Sequence, residues 1–361
     1  MAVKFYLLQI KNLQRENVDT ITITFDIPEN LSEIFKYKHG QYITVKVPVN
    51  GEENRRAYSI CSSPVETKDI QITVKKVDEG KVSRYLNDNL KIGDYFEVMP
   101  PLGNFTIELN DGNTGNYIMI GGGSGITPLI SIIKTILLVE KNSKITLIYQ
   151  NRNEDSIIFK SELESLINKY SDRFNIINIL SKPSSNWTGL TGRLNTSTIS
   201  AFIKDISQEK LFRTEFFICG PTGLMHESEA ALKQLMIASY RIHKESFTIA
   251  IPNSDNENNI VFDENVELKT RKVKIILYGD ELEYTVEPDE TILTAAQREG
   301  YDPPFSCQIG ACSTCRAKLK SGKVSMDERD SLTDDEIEDG YVLTCQSHPL
   351  TDDVIIDYDD N

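Results

Sequence analysis

A chain of 361 residues exceeds what one hydrophobic core comfortably holds, so two or three domains are expected. Its 39% hydrophobic and 26% charged content is ordinary for a soluble globular protein, and six cysteines over this length do not make a disulfide scaffold. The net charge of −15 is uneven: residues 271–361 carry 9 Lys and Arg against 21 Asp and Glu, a net of −12, leaving −3 for the rest, which argues against nucleic-acid binding.

The opening stretch, MAVKFYLLQIKNL, lacks the basic-then-apolar layout of a signal peptide. Up to about Asn110 the pattern is strand-like. In Thr20–Ile27 the apolar Ile21, Ile23, Phe25 and Ile27 alternate with polar neighbours, as in a half-buried strand, and Asp69–Val77 alternates again. Asn50-Gly51, Glu79-Gly80 and Ile92-Gly93-Asp94 punctuate these runs as turns. Many short strands with one brief helix predict a small antiparallel β-barrel over residues 1–112.

From about Asn116 the rhythm becomes strand, helix, strand. A strand at Tyr117–Ile120 leads through a glycine turn into a helix ending at Val139. A strand at Lys144–Gln150, a helix over Asp155–Tyr170 and a strand at Phe174–Leu180 follow. A buried run at Phe216–Cys219 then feeds a helix over Leu224–Ile237. This alternation predicts a doubly wound parallel-sheet α/β domain over residues 113–251. The longest apolar stretch, Leu129–Val139, is interrupted by Ser131, Lys134 and Thr135 and falls short of the roughly 18 residues of a membrane span. The chain therefore reads as cytoplasmic, with no membrane partner. Residues 252–270 are polar and asparagine-rich and read as a linker. Residues 271–361 form a last compact unit, with a helix at Glu290–Glu299 and a closing strand at Val354-Ile355-Ile356.

That unit holds Cys307, Cys312 and Cys315 in C-x4-C-x2-C spacing, with Cys345 further on. Three close thiols and one distant partner make the plant-type ligand set of a [2Fe–2S] cluster. Gly310, Ala311, Ser313 and Thr314 between them are small, so the loop can wrap closely with its N–H groups free to donate to cluster sulfurs. The alternative is a four-cysteine zinc site, but zinc ligands usually come as two short C-x2–4-C arms, whereas here one arm carries three cysteines. The segment resembles an α+β plant-type ferredoxin domain over its whole length.

A one-electron cluster needs a source of electrons, and the earlier segments supply candidates. Arg56-Ala57-Tyr58-Ser59, expected between two barrel strands, offers a cation for a pyrophosphate, an aromatic face for a flavin ring and a hydroxyl for its N5. Val74 and Lys75 lie near the end of the next strand. Gly80-Lys81-Val82-Ser83 then opens a short helix that Ser83 is expected to cap, leaving N–H groups for a phosphate. Gly121–Pro128 follows the first strand of the parallel sheet. Its glycines permit tight turning and close approach to a pyrophosphate, Thr127 is expected to cap the helix, and Pro128 suits the first helical position. Read singly, each piece also fits a plain strand or capped turn; order and placement carry the reading.

Together these motifs resemble the ferredoxin–NADP reductase superfamily over residues 1 to about 250. The resemblance implies FAD held by Arg56, Ala57, Tyr58, Ser59, Val74, Lys75, Gly80, Val82 and Ser83, the last segment being similar to FAD-binding rather than FMN-binding relatives. It implies a nicotinamide dinucleotide on Gly123, Ser124, Gly125, Thr127 and Pro128, with Cys219, Gly220, Pro221 and Met225 beside the nicotinamide. Ser59, Cys219 and Glu245 would line the hydride-transfer site. Asn151, Arg152, Ser181 and Lys182 occupy positions that contact the adenosine phosphate in NADP-dependent relatives. Lys182 stands where arginine is commoner and supplies charge without a bidentate fork, so NADPH is expected ahead of NADH. Cys61 has no motif partner and reads as a buried hydrophobe.

Flavin barrel first, nucleotide domain second and ferredoxin last resembles the reductase components of bacterial ring-attacking oxygenases. Among these it resembles the phenylacetyl-coenzyme A epoxidase type, which implies a di-iron oxygenase as acceptor. The implied route runs from NAD(P)H through FAD to a cluster on Cys307, Cys312, Cys315 and Cys345, and on to an oxygenase partner. A reductase for a Rieske-type oxygenase or a hybrid-cluster protein, and a non-catalytic redox-sensing module, stay as alternatives.

Overall fold

The protein is described as a computed structural model over residues 4–77, 80–204, 211, 213–247, 268–329, 331–332 and 334–360. The expected linker at 252–270 lies outside these residues except for its last three.

Six strands build the first sheet: β1 (Tyr6–Asn17), β2 (Thr20–Asp26), β3 (Tyr42–Val49), β4 (Glu52–Ser59), β5 (Ile70–Lys75) and β6 (Tyr95–Val98), with helix α1 (Lys81–Asp88) before the last. Their order is β4-β3-β6-β1-β2-β5, and the two ends meet. Ile60, just past β4, bridges Ile72 in β5, and the Cys61 N–H donates to the Gln71 carbonyl at 2.8 Å. Closure leaves few free edges and gathers Leu8, Ile23, Ile43, Ile70 and Ile72 into one core. β2 departs from the half-buried expectation. Thr20, Thr22 and Thr24 are covered as well as the isoleucines, and Thr22 meets this by sharing a hydrogen bond with the Thr73 hydroxyl at 2.7 Å. Arg56–Ser59 also differs from expectation, lying within β4 rather than between strands. Asn50 and Gly51 both take left-handed φ (+54° and +83°), a turn tight enough that strand structure resumes at Glu52.

The second sheet comprises β7 (Asn116–Gly122), β8 (Lys144–Asn151), β9 (Phe174–Leu180), β10 (Leu190–Thr191), β11 (Thr214–Gly220) and β12 (Ile242–Ser246), all parallel. Its helices are α2 (Ile126–Val139), α3 (Lys160–Lys169), α4 (Thr196–Lys204) and α5 (Thr222–Gln234). The order β10-β9-β8-β7-β11-β12 reverses between β7 and β11. The crevice at that reversal is where doubly wound sheets take ligands. α3 starts later than the periodicity suggests, because Phe159 sits at φ +59° and ends a capped 3-10 turn region before the helix begins. The two sheets share one compact unit, Tyr6–Asn54 with Tyr58–Phe247. Inside it the Ser131 hydroxyl donates to the Ser62 carbonyl at 2.6 Å and Phe105 meets Phe217 edge-on.

The C-terminal unit holds β13 (Arg271–Leu277), β14 (Asp280–Val286), α6 (Ile292–Arg298), β15 (Arg316–Ser321), β16 (Val324–Met326), β17 (Tyr341–Leu343), β18 (Ser347–Pro349) and β19 (Val354–Asp357). The sheet order is β14-β13-β19-β15-β17, with β16 and β18 paired apart. β19, expected as a closing strand, lies at the centre, parallel to β13 and antiparallel to β15. Ile292, Ala295 and Ala296 of α6 pack on this sheet through its apolar face. Among the described residues no helix is long and apolar enough to cross a membrane.

Candidate functional site

The flavin candidates converge from three elements of the barrel. β4 presents Arg56 exposed and Tyr58 half-buried against the barrel core, and ends on buried Ser59. Val74 and Val82 have their side chains in that core, so only their backbone groups can face a ligand. Gly80 caps α1 without any side-chain hydrogen bond. Ser83 is not the cap: it sits inside the first turn, where its hydroxyl accepts from the Val77 N–H at 3.1 Å and donates to the Gly80 carbonyl at 3.4 Å. The uncapped amide end of α1 fits an anionic pyrophosphate.

At the sheet reversal, Gly121 and Gly122 end β7, and a 3-10 turn at Gly123–Gly125 delivers the chain to α2. A Cβ at Gly125 would lie 2.1 Å from the Cys219 carbonyl oxygen, so only glycine lets the two loops close on each other. Gly123, by contrast, has φ +54° and open space where a Cβ would point, a cradle for a phosphate. Thr127 does not cap α2 either; Gly125 holds that position, and the Thr127 hydroxyl donates to the Ser124 carbonyl at 2.9 Å. Pro128, expected at the first helical position, is the third residue of α2, because the helix already starts at Ile126.

Cys219 is fully buried at the end of β11, beside Gly220, exposed Pro221 and buried Met225. Burial pushes its thiol well up, with the Glu245 charge adding to the effect, so it is a small neutral group. Glu245 lies opposite Cys219 on β12. The Ser59 hydroxyl donates to its Oε2 at 2.9 Å, joining barrel and sheet. Loss of hydration raises the Glu245 carboxyl from the ordinary 4.5 to about 8, the Ser59 bond opposing this. Ser59, Cys219 and Glu245, which the resemblance groups, thus lie as neighbours in the fold.

The adenosine-end candidates sit where β8 and β9 run out. The Ser181 N–H donates to the Asn151 carbonyl at 3.0 Å and the Lys182 N–H to the Arg152 carbonyl at 2.7 Å, which brings Arg152 and Lys182 side by side. Asn151 is 5% exposed, and both its amide atoms lack a hydrogen-bond partner among the described residues. A buried orphan amide at the mouth of a ligand crevice fits a bound polar group. Sequence reasoning misses Glu154. Its carboxylate accepts from both the N–H and the hydroxyl of Ser184, locking the two loops together, a link no local pattern signals.

In the C-terminal unit, the four expected ligand cysteines come together as two pairs. Cys312 donates toward the Cys307 sulfur and Cys315 toward that of Cys345. Those bonds pull Cys307 down to about 6 and lower Cys345, while Cys312 and Cys315 rise. The N–H groups of Ile309, Ala311 and Cys312 point at Cys307, and that of Gly310 at Cys345. Gln308 and Gly310 reach this wrap through left-handed φ of +59° and +73°. Two close pairs suit the two irons of a plant-type cluster. Gln346, also missed from sequence, donates to the Gln308 carbonyl at 3.2 Å and approaches the Cys345 sulfur at 3.6 Å, tying the fourth cysteine to the loop of the first. None of the six cysteines forms a disulfide, and Cys61 is buried as expected.

Three domain families match in the expected order: an oxidoreductase FAD-binding domain over residues 7–107, an oxidoreductase NAD-binding domain over 119–229 and a 2Fe-2S iron-sulfur cluster binding domain over 275–350. One component of the 1,2-phenylacetyl-CoA epoxidase of Escherichia coli strain K12 is 37% identical over 98% of both chains. The ferredoxin reductase component of the 3-ketosteroid-9-alpha-monooxygenase of Rhodococcus rhodochrous is 33% identical, covering 98% of this chain and 96% of that one. Phthalate dioxygenase reductase shares the fold across 98% of both chains, with a TM-score of 0.60 at 23% identity.

Proposed function

The chain belongs to the family of oxygenase reductase components that join FAD-binding, NAD-binding and [2Fe–2S] domains, and from that premise we propose that its acceptor is a di-iron oxygenase that epoxidises phenylacetyl-coenzyme A. As a member it is an NAD(P)H-dependent oxidoreductase that delivers electrons to an oxygenase component. The observation carrying the choice of acceptor is the end-to-end match to the epoxidase component at 37% identity. Mixed anaerobically with NADPH, the protein is expected to reduce that epoxidase's oxygenase component faster than a Rieske-type oxygenase. The reverse preference would move it to the other acceptor class.

When bound, FAD and the cluster convert a hydride's electron pair into single electrons. The chain supplies position and electrostatics. Arg56 and the open end of α1 hold the flavin pyrophosphate, with Ala57, Tyr58, Val74, Lys75 and Val82 lining the flavin. Gly123, Ser124 and the start of α2 take the nucleotide pyrophosphate, while Arg152 and Lys182, flanked by Asn151 and Ser181, attract the extra phosphate of NADPH. Ser59 orients a proton between its Oγ and the Glu245 carboxyl. Cys219, Gly220, Pro221 and Met225 wall off the nicotinamide and exclude water. Cys307, Cys312, Cys315 and Cys345 would hold the two irons of the cluster. We place the protein in the cytoplasm, where unpaired thiols stay reduced.

A further inference from the structure

Hydride transfer brings two electrons and one proton into the site for each NAD(P)H oxidised. The cluster accepts electrons only. One proton per turnover must therefore leave a site whose outer face the flavin and nicotinamide would cover. The Ser59–Glu245 pair already described is where that proton is first held; nothing so far says how it leaves.

β12 offers a route. Its parallel pairing with β11 sets His243 opposite Phe217 and Glu245 opposite Cys219, so His243 and Glu245 share one face of the strand. Two residues along a strand stand about 6.6 Å apart at their Cα atoms, so the imidazole and the carboxyl are neighbours on that face. The His243 ring stacks on Phe217, with centroids 4.4 Å apart and 16° between planes, which fixes its orientation. Its Nε2 bonds the Glu215 carboxylate at 2.9 Å, leaving Nδ1 for the other direction. Glu215 in turn lines a solvent-open cleft of about 290 Å³, with Ile107, Asn113, Tyr117 and Arg213.

We propose that Glu245, His243 and Glu215 form a proton exit from Ser59 to this cleft, with His243 as the positioning residue that passes the proton between the two carboxyl groups. In each passage His243 takes a proton on Nδ1 from the Glu245 side and gives one up from Nε2 to Glu215, so the imidazole ends in its other tautomer and a ring flip or return proton exchange resets it. The other titratable or charged groups facing the path are few. Cys219 on β11 has its thiol pushed well up by burial and does not accept the proton. Ser59 stands at the inner end. Glu108, Arg213 and Tyr117 face the cleft, with Glu140 bonded to the Tyr117 hydroxyl at 2.8 Å. His39, whose Nε2 accepts the Ile107 N–H, is kept neutral above about 4 by burial.

The inference rests on Ser59 facing the flavin. The test uses the full-length protein with FAD and cluster loaded, and the variants His243→Phe, which keeps the ring stack, and Glu215→Gln, which keeps the hydrogen bond. After a pH jump, the infrared band of the protonated Glu245 carboxyl, assigned by its loss in Glu245→Gln, is followed in time. Both variants are expected to slow that relaxation by about tenfold or more, the scale of a lost acid–base partner. Flavin reduction by NADPH should keep its parental rate while flavin reoxidation slows and loses its pH dependence above neutrality. Parental relaxation in both variants overturns the route. Ser59→Ala separates the two claims: if it leaves flavin reduction unaltered, the flavin placement fails, whatever His243 does.

Discussion

Glu245 carries a stability signature that follows from its environment. With its carboxyl raised from 4.5 to about 8, the folded protein keeps a proton that the unfolded chain has released across that interval. Stability therefore falls as pH rises from about 4.5 toward 8 and levels off above, losing about 1.4 kcal/mol per pH step of one across the interval at full effect. Thermal melts of the cofactor-free protein should show this decline, and Glu245→Gln should flatten it; an equally steep decline in the variant would assign it elsewhere. The cysteines make a second residue-scale prediction. Cys345→Ser breaks the second pair and should lose the cluster's visible and EPR signals while flavin reduction by NAD(P)H persists. Retention of a full cluster would bring Cys61 or Cys219, both buried, back into question. The cysteine positions are legible in the sequence because chemistry demands them at fixed spacing. His243, Glu215 and Gln346 are not, since their partners are brought near only by strand register and loop wrapping.

At the scale of elements, the loops closing the parallel sheet carry the coenzyme predictions. Arg152→Ala with Lys182→Ala should lower kcat/KM for NADPH more than for NADH, because only NADPH presents the additional phosphate. Equal losses would move the phosphate site. Gly125→Ala forces a Cβ against the Cys219 carbonyl, 2.1 Å away, and should raise the nucleotide KM at least about tenfold while FAD stays bound. Unchanged nucleotide kinetics would show that the two loops need not touch. Most elements are readable from periodicity: β9 is found at Phe174–Leu180, as expected, and α2 ends at Val139. The departures have physical causes. Thr127 and Ser83 are expected as caps because of their residue type, yet glycines take both cap positions and the hydroxyls turn back onto loop carbonyls. β12 is hidden in the sequence because an edge strand with His243, Lys244 and Glu245 shows no apolar run; its pairing comes from β11.

For the whole molecule, the charge asymmetry bears on partner encounter. The C-terminal segment holds a net of −12, but part of that acidity is committed. Glu336 pairs with Arg316, and Asp327 bonds His348 at 3.0 Å. Exposed Glu338 and Asp339 belong to what remains for a basic partner. Since surface charges are screened beyond about 8 Å at physiological salt, electron delivery to the oxygenase should slow as salt rises, more than flavin reduction measured alongside. Identical salt dependence of both rates would remove electrostatic docking from the account. The three-part order of folds is legible from rhythm and cysteine spacing, whereas the acceptor is not, because nothing in one chain's periodicity names its partner.

The central claim is that electrons pass from NAD(P)H through the flavin and the [2Fe–2S] cluster to the oxygenase, and anaerobic stopped-flow mixing with NADPH and the oxygenase component tests it most directly. Flavin bleaching should come first, the reduced-cluster EPR signal in freeze-quenched samples second and oxygenase reduction last, with the last two absent in Cys345→Ser. Oxygenase reduction at the parental rate in that variant, with the cluster gone, would contradict the account.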